Sequence, residues 1–475
     1  KSMENKGTIE DNVLYVDDDG KECPYDNYYT TIKEALLFGE REGDIDTIYV
    51  YTGTYEENIL VDFPVDIIGV GTIENVLIIP ESNTYTVNII SDGSGGSLQN
   101  ITIDGGYTIK NLISIQADYL IKNCNMYSFE SSIVVKDWIG DVRIEDCYLK
   151  SIDSTNIFLD NAWGCQIINC TLEKEEGSSH DSSGGIYIYD SARLKIIDCD
   201  IFGFYNGIYY SHDHYPVFMD SITIKGCYIH DNYYGIRFER LFYHGLTVEK
   251  CIFFNNRRSG ICFYKCESES KDKVWLIKEC NISNSKESIS ISGIEIWDSS
   301  NVTIYNCNIF DNTIGISLSG ENLLMKKLLP LTPYFVAENN EISYCEIYNN
   351  TKDGIHLGPN SLKNMINHNT LEKNGRYGIS SGLKLKESFR EKIDDIFKFF
   401  EYFLRGLYSF DEFLSIIDIY EFFYIPFTNM FIKENFFYCN NFISNGEKNA
   451  VDYGLNHWDY HSIGNYWSNY NLLLD

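Results

Sequence analysis

Proline and methionine are sparse, with 8 and 6 residues in a chain of 475, and glutamine occurs only at Gln99, Gln116 and Gln166. No run of about 18 apolar residues is present either, so no transmembrane helix is expected. With so little proline, 44% hydrophobic and 15% aromatic residues exclude a disordered or collagen-like chain. Basic residues are outnumbered 38 to 69, giving a net charge of −31. That excess repels a phosphate backbone, so nucleic acid is excluded as a partner. It suits an extracellular surface, a divalent cation such as Ca²⁺, or a neutral or cationic glycan. Glycine-rich phosphate loops and Ser/His/Asp signatures are missing. The chain opens KSMENKG without a hydrophobic signal core, as expected of a mature secreted or cell-surface protein whose leader has been removed, or of a trimmed chain.

What is present is a repeat. Cys124, Cys147, Cys170, Cys199, Cys227, Cys251, Cys280, Cys307 and Cys345 recur every 23 to 38 residues. Three positions before each stands Ile, or Val at Val248, and two positions after stands Met126, Leu149, Leu172, Ile201, Ile229, Phe253, Ile282, Ile309 or Ile347. A third short run follows, usually opened by glycine: GGIYI, NGIYY, YGIRF, SGICF, SGIEI, IGISL, DGIHL. The apolar parity flips between the runs, which a single strand cannot do and three short strands with corners can. A unit of three strands closes no core alone, but parallel stacking of coils buries one inward column per position.

The expected fold is therefore all-β, a right-handed, single-stranded parallel β-helix with three short strands per coil. Rungs about 4.8 Å apart turn the cysteines into an internal ladder. Ladder residues point the same way, whereas a disulfide needs Cβ atoms tilted together, so most of the 14 cysteines are expected to be buried thiols. Cys262 and Cys266, flanking a loop, are the pair expected to be oxidised. Glycine at the third corner is expected to supply a turn with φ > 0.

Near the start, Ile32, Ala35, Leu36 and Phe38 mark a short amphipathic helix, expected to cap the open end of the stack. Asp17, Asp18 and Asp19 precede it in VLYVDDDG. Clustered carboxylates of this kind suit Ca²⁺, and a solvated turn is the other reading.

YVDDDG, TTIKEAL, GDIDTIYVYTGTYEENI and IIGVG at the start, with NFFYCNNFISN, NAVDYGLNHWDY and GNYWSNY at the end, resemble the NosD-like secreted β-helix proteins of the pectate-lyase-like superfold. The resemblance implies the same right-handed fold and a link to copper delivery, for which six methionines are a poor supply of ligands. Such proteins more often carry Asn where this chain has its ladder cysteines; Asn369 and Asn441 are taken to keep the usual residue. The acidic segment that commonly follows GNYWSDY in relatives is not seen before the chain stops at NLLLD.

Four regions are expected: 1–80, cap and first coils; 81–382, β-helix; 383–426, a helical hairpin insertion; and 427–475, final coils and C-terminal cap. In the insertion, Phe389, Ile393, Ile396, Phe397 and Phe400 fall at helical spacing, and Ser409 with Glu412 forms a capping box. The hairpin is expected to pack on the barrel side or to mediate assembly with other copies of the chain.

Outward positions of the third strand give the candidate binding face: Tyr187, Tyr189, Tyr209, Arg237, Tyr264, Glu295 and Trp297, with His356 further along the same column. Aromatic area interleaved with charge suits sugar rings and their hydroxyls. Arg237, Glu239 and Glu295 are the candidate catalytic groups, since a hydrolase needs two carboxyls and a lyase a basic residue. The GHG step of polygalacturonases is absent. SHDHYP places His212 and His214 on one strand face, and His457, Asp459 and His461 in NHWDYH form a second metal candidate or part of the cap. The reading that results is an extracellular, non-catalytic protein for glycan binding or surface assembly. The alternatives are a polysaccharide lyase, epimerase or hydrolase, and a periplasmic copper-handling protein.

Overall fold

The computed structural model describes residues 12–82, 85–106, 111–136, 140–175, 184–212, 221–241, 245–266, 275–283, 292–320, 336–382, 433–452, 455–459 and 464–467. The chain divides into two compact units, Lys1–Ile261 and Cys262–Asp475.

In the first unit the strands form three parallel sheets. On the first sheet Ile121 lies between Leu98 and Ile144, and the column continues through Ile167, Ile196, Ile224 and Val248. Met126, Leu149, Leu172, Ile201, Ile229 and Phe253 form the matching column on the second. Every one of these side chains is buried. A β-branched or long apolar residue at a fixed place in each coil thus meets its counterpart one rung away, which is the burial a lone coil lacks.

Cys124, Cys147, Cys170, Cys199, Cys227 and Cys251 are buried, each at the corner between those two strands. The residue before each takes up the left-handed conformation, at Asn123 (φ 50°), Asp146 (54°), Asn169 (51°), Asp198 (52°), Gly226 (65°) and Lys250 (55°). The thiols satisfy themselves on carbonyls: Cys170 Sγ lies 3.3 Å from Ile168 O and 3.5 Å from Ile144 O. All fourteen cysteines, Cys262 and Cys266 included, are thiols in the structure, so the oxidised pair expected there is not formed. Cys266 instead sits at a corner with its thiol on Tyr264 O at 3.4 Å.

Glycine at the third corner has a different purpose from the one expected. The glycines that open the third strand, Gly207 and Gly235 among them, are not left-handed. A Cβ on Gly207 would stand 2.6 Å from Gly235 O, and one on Gly235 would stand 2.4 Å from Gly260 O. Close approach of one rung's backbone to the next excludes a side chain there.

A helix, α1, spans Ile32–Glu42. Thr31 accepts the Glu34 amide, Gly43 (φ 77°) ends it, and Ile32, Ala35, Leu36 and Gly39 are its buried residues, with Phe38 only half-buried. Glu57 reaches its first turn and accepts the Ile32 and Lys33 amides at 2.8 Å each.

In the second unit Ile277, Ile304, Ile342 and Ile366 stack on one sheet, and Ile309, Ile347, Leu371 and Phe442 on the next. The cysteine column here runs Cys280, Cys307, Cys345 and then changes chemistry. Asn369 Oδ1 accepts the Cys345 amide at 2.9 Å, Asn440 Oδ1 the Asn369 amide at 3.1 Å, and Asn465 Oδ1 the Asn440 amide at 3.0 Å. The ladder residue is therefore Asn440; Asn441 pairs with Thr370 on the following strand. Two more asparagine ladders run in parallel, Asn312–Asn350–Asn374–Asn445 and Asn340–Asn364–Asn435–Asn456.

Terminal motifs finish these ladders. Asp452 accepts Asn456 Nδ2 at 2.8 Å and Trp458 Nε1 at 3.1 Å, while Trp458 stacks on Phe437 with centroids 4.5 Å apart. The hairpin expected at 383–426 lies outside the described residues. No described helix is long and apolar enough to cross a membrane.

Candidate functional site

Strand register decides which outward side chains become neighbours. In the first unit Phe158, Tyr187, Tyr209 and Arg237 lie side by side, and Asp160, Tyr189, Ser211 and Glu239 form the adjoining column. Ring centroids are 5.2 Å apart for Phe158 and Tyr187 and 5.0 Å for Tyr187 and Tyr209. The ring faces are thus turned on one another along the stack, and edges and hydroxyls are what this column offers outward.

Arg237 closes the column. Its guanidinium lies 5.7 Å from the Tyr209 ring centroid and 5.2 Å from that of Tyr234. Glu239 Oε2 accepts both the Tyr209 hydroxyl, at 3.0 Å, and Arg237 NH2, at 2.9 Å. Burial, reinforced by the Glu239 charge, pushes the Tyr209 hydroxyl well above its ordinary pKa, so it remains a proton donor at neutral pH. The Arg237 and Glu239 side chains are 24% and 19% exposed, enough for a ligand to reach them.

One corner further along, His212 Nδ1 pairs with Asp190 Oδ1. His212 is 4% exposed and, among the described residues, its Nε2 has no hydrogen-bond partner. The sequence set His212 beside His214, which lies outside the described residues; the partner that register supplies is an aspartate 22 residues earlier.

In the second unit Glu295, Ser317, His356 and Ser380 share one outward column, and Trp297 pairs with Ser319. Trp297 and Tyr264 are tilted at 59°, with centroids 6.5 Å apart, and Lys265 lies over Tyr264 at 5.1 Å. The seven expected ligand residues therefore divide, with Tyr187, Tyr189, Tyr209 and Arg237 in the first unit and Tyr264, Glu295 and Trp297 in the second. Glu239 and Glu295, considered together as candidate carboxyls, also belong to different units.

Sequence reasoning missed a cluster around Asp353. This aspartate is fully buried, accepts Arg376 Nε at 2.7 Å and NH2 as well, and accepts Ser380 Oγ at 2.7 Å. His356 Nδ1 lies 2.8 Å from the same Ser380 oxygen. The one available signal was the carboxylate in DGIHL, where other coils carry Asn206, Tyr234, Ser292 or Ile314 before the glycine.

The metal candidates separate by their donors. Asp17, Asp19 and Glu22 bring carboxylate oxygens within 4.8 Å of one another. The buried Asp17 carboxylate, however, takes four backbone amides, from Asp19, Gly20, Glu22 and Cys23, and Asp19 is paired with Lys21. Asp18 accepts the Thr54 amide at 3.0 Å. These bonds are what a turn requires. His457 is exposed and stacks on Phe436 at 4.8 Å, Asp459 is exposed, and His461 lies outside the described residues.

A parallel β-solenoid with a polar and aromatic outer face is the class these observations define. The family described as right handed beta helix region matches residues 111–271 and 267–385, more than half of the chain, and the protein belongs to that family. No curated relative matches. Among solved structures, the chain is similar to the catalytic domain of an α-1,3-glucanase in complex with tetrasaccharides, at 12% identity and TM-score 0.47, covering 80% of this chain and 66% of that one. It is also similar to the A-module of an Azotobacter vinelandii mannuronan C-5 epimerase, at 14% identity and TM-score 0.47, covering 74% and 91%. A tailspike protein follows at 12% identity and TM-score 0.40, covering 78% and 66%. The chain spans about two thirds of the glucanase domain. Those activities belong to those proteins.

Proposed function

We propose that the protein is an extracellular glycan-binding β-helix of the NosD-like type, holding a polysaccharide along the outer third-sheet face of its first unit without cleaving it. The observation that carries this reading is the convergence of the Tyr209 hydroxyl and Arg237 on one Glu239 oxygen, at the end of a ladder of aromatic side chains. Such a cluster offers donors and an acceptor in fixed directions beside apolar area, which is what a sugar with its hydroxyls requires. Glu239 Oε2 is already engaged by two donors, a poor state for a nucleophile or base. The terminal motifs support the NosD-like assignment, and the sparse methionines favour glycan over copper.

A second reading, polysaccharide lyase, epimerase or hydrolase, is favoured by one observation: the buried Asp190–His212 pair with an unpartnered Nε2 has the form of an oriented base.

Affinity electrophoresis against a panel of neutral and uronic polysaccharides tests both readings, with products of the same incubations analysed for shortened chains or unsaturated ends. Retarded migration that Glu239→Gln weakens, with unchanged polymer, is the expected result. Cleavage or epimerisation abolished by His212→Gln would replace the first reading by the second.

A further inference from the structure

Beside the outward column of the second unit, Asp353, His356, Arg376 and Ser380 form a polar cluster that the fold does not demand. Asparagine, tyrosine, serine or isoleucine occupies the place of Asp353 in other coils, and a buried ion pair is no more stable than the apolar residues that would replace it. The hydrogen bonds nevertheless form a directed chain. Arg376 grips both oxygens of Asp353, and Ser380 donates its only proton to Asp353 Oδ2 at 2.7 Å. Ser380 Oγ can then only accept from His356 Nδ1, at 2.8 Å. The imidazole proton is thereby fixed on Nδ1, and Nε2 carries the lone pair. The His356 side chain is 20% exposed and that of Arg376 39%.

The charged groups facing His356 are Asp353 and Arg376. Burial lowers its proton affinity, Asp353 opposes that effect and Arg376 adds to it, so the ring is neutral at physiological pH and its acceptor is open. On the neighbouring rung Ser317 is small, and Ser319 separates this cluster from Trp297 by short side chains.

We propose that His356 and Arg376 form a separate subsite for a neutral polysaccharide on the outer face of the second unit. Nε2 of His356 accepts a sugar hydroxyl, and the guanidinium edge not engaged by Asp353 donates to a ring or glycosidic oxygen. The ligand is neutral because Asp353 offsets Arg376, the imidazole is uncharged, and a chain of net charge −31 repels polyanions. The subsite shares the ligand class of the proposed function and none of its residues.

The test uses the full chain with ¹³C at histidine Cε1, and His356→Gln assigns the His356 signal. Cellohexaose, maltohexaose and xylohexaose serve as neutral probes and trigalacturonate as the charged one. At least one neutral probe is expected to shift the His356 signal at about pH 7.5, with affinity falling about tenfold once acid has protonated Nε2, which the same signal reports. Ser380→Ala, which frees the ring to rotate, is expected to weaken that binding several-fold while leaving the fold intact by circular dichroism. Should His356→Gln fail to fold, Ser317→Asp assigns the signal, because a carboxylate one rung away raises the His356 pKa. A signal unmoved by every neutral probe, an affinity unchanged once the His356 signal shows the ring protonated, or a response to trigalacturonate alone would overturn the proposal. Glu239→Gln must leave the His356 response unchanged, so loss of binding at one face is distinguishable from loss at the other.

Discussion

The same corner of the coil is filled by thiols in the first unit and, after Cys345, by carboxamides in the second, and the two fillings do unequal work. A cysteine such as Cys170 spends a weak donor on carbonyls that other groups already serve, so it acts as a small apolar residue. Asn369 accepts the Cys345 amide and donates to both Ile342 O and Asn440 Oδ1, so it ties a backbone amide, a carbonyl and the next side chain into one network. One column is packing and the other is a polar network inside a core. Only the second leaves stranded donors and acceptors when a member is lost.

That difference sets the order of expected losses. Asn369→Ala strands the Cys345 amide and breaks the ladder at Asn440, and is expected to cost about 3–5 kcal/mol in chemical denaturation, since each stranded buried group costs about 1–3 kcal/mol. A loss no larger than that at a cysteine would erase the distinction between the columns. Gly315→Ala tests the neighbouring corner, where the new Cβ would lie 2.4 Å from Gly354 O. About 2–3 kcal/mol is expected by the same assay, because the obstacle is backbone rather than a yielding side chain. Cys170→Ala removes one sulfur from a packed column and is expected to cost about 1 kcal/mol.

Reactivity sharpens the comparison without a stability measurement. Burial pushes the Cys165 thiol up to about 12, and Cys345 well above the ordinary thiol range. In folded protein at about pH 8, iodoacetamide is expected to label only Cys23 and Cys439, because the other twelve thiols are buried out of its reach. Mass spectrometry after a short exposure reads the outcome, and a labelled ladder cysteine would show that its unit opens locally. The smallest effect concerns His356: its folded proton affinity is depressed, so the stability it contributes is present above the unfolded pKa of about 6.5 and is lost as pH falls through the folded value. Melting curves of His356→Gln are expected to be slightly less acid-sensitive than those of the parent, and an identical pH slope would mean the ring does not titrate with folding.

The solenoid was legible because it repeats: Ile121, Cys124 and Met126 announce one coil, and the pattern returns at the same offsets through Ile342, Cys345 and Ile347. Register was harder where the repeat thins. Asn441 looked like the ladder residue in CNNFISN, and only the pairing of Asn441 with Thr370 shows that Asn440 holds the place. The glycines misled for another reason: a sequence shows that a side chain is missing, not whether the vacancy serves a turn or an approaching carbonyl. The sites were least visible. Tyr209 and Glu239 are 30 residues apart and Asp353 and Ser380 are 27 apart, separations of one coil that acquire meaning only once the rungs are stacked.

Two ladder members, Asn374 and Asn445, are each followed by glycine, and a Cβ on Gly446 would lie 1.9 Å from Gly375 O. Asparagine is held there by the ladder and glycine by crowding, so the fold imposes an Asn-Gly pair twice. In an unfolded chain that pair is the one most open to attack by the following backbone nitrogen on the carboxamide, because no side chain stands in the way. Loss of ammonia closes a succinimide, water reopens it to aspartate or isoaspartate, and the carboxylate so formed cannot re-enter a stack of donors and acceptors built for an amide. Locked between rungs the amides are safe. Prolonged heating above the transition is therefore expected to convert reversible unfolding into progressive chemical ageing, with each residence in the unfolded state removing a fraction of chains from the refolding pool.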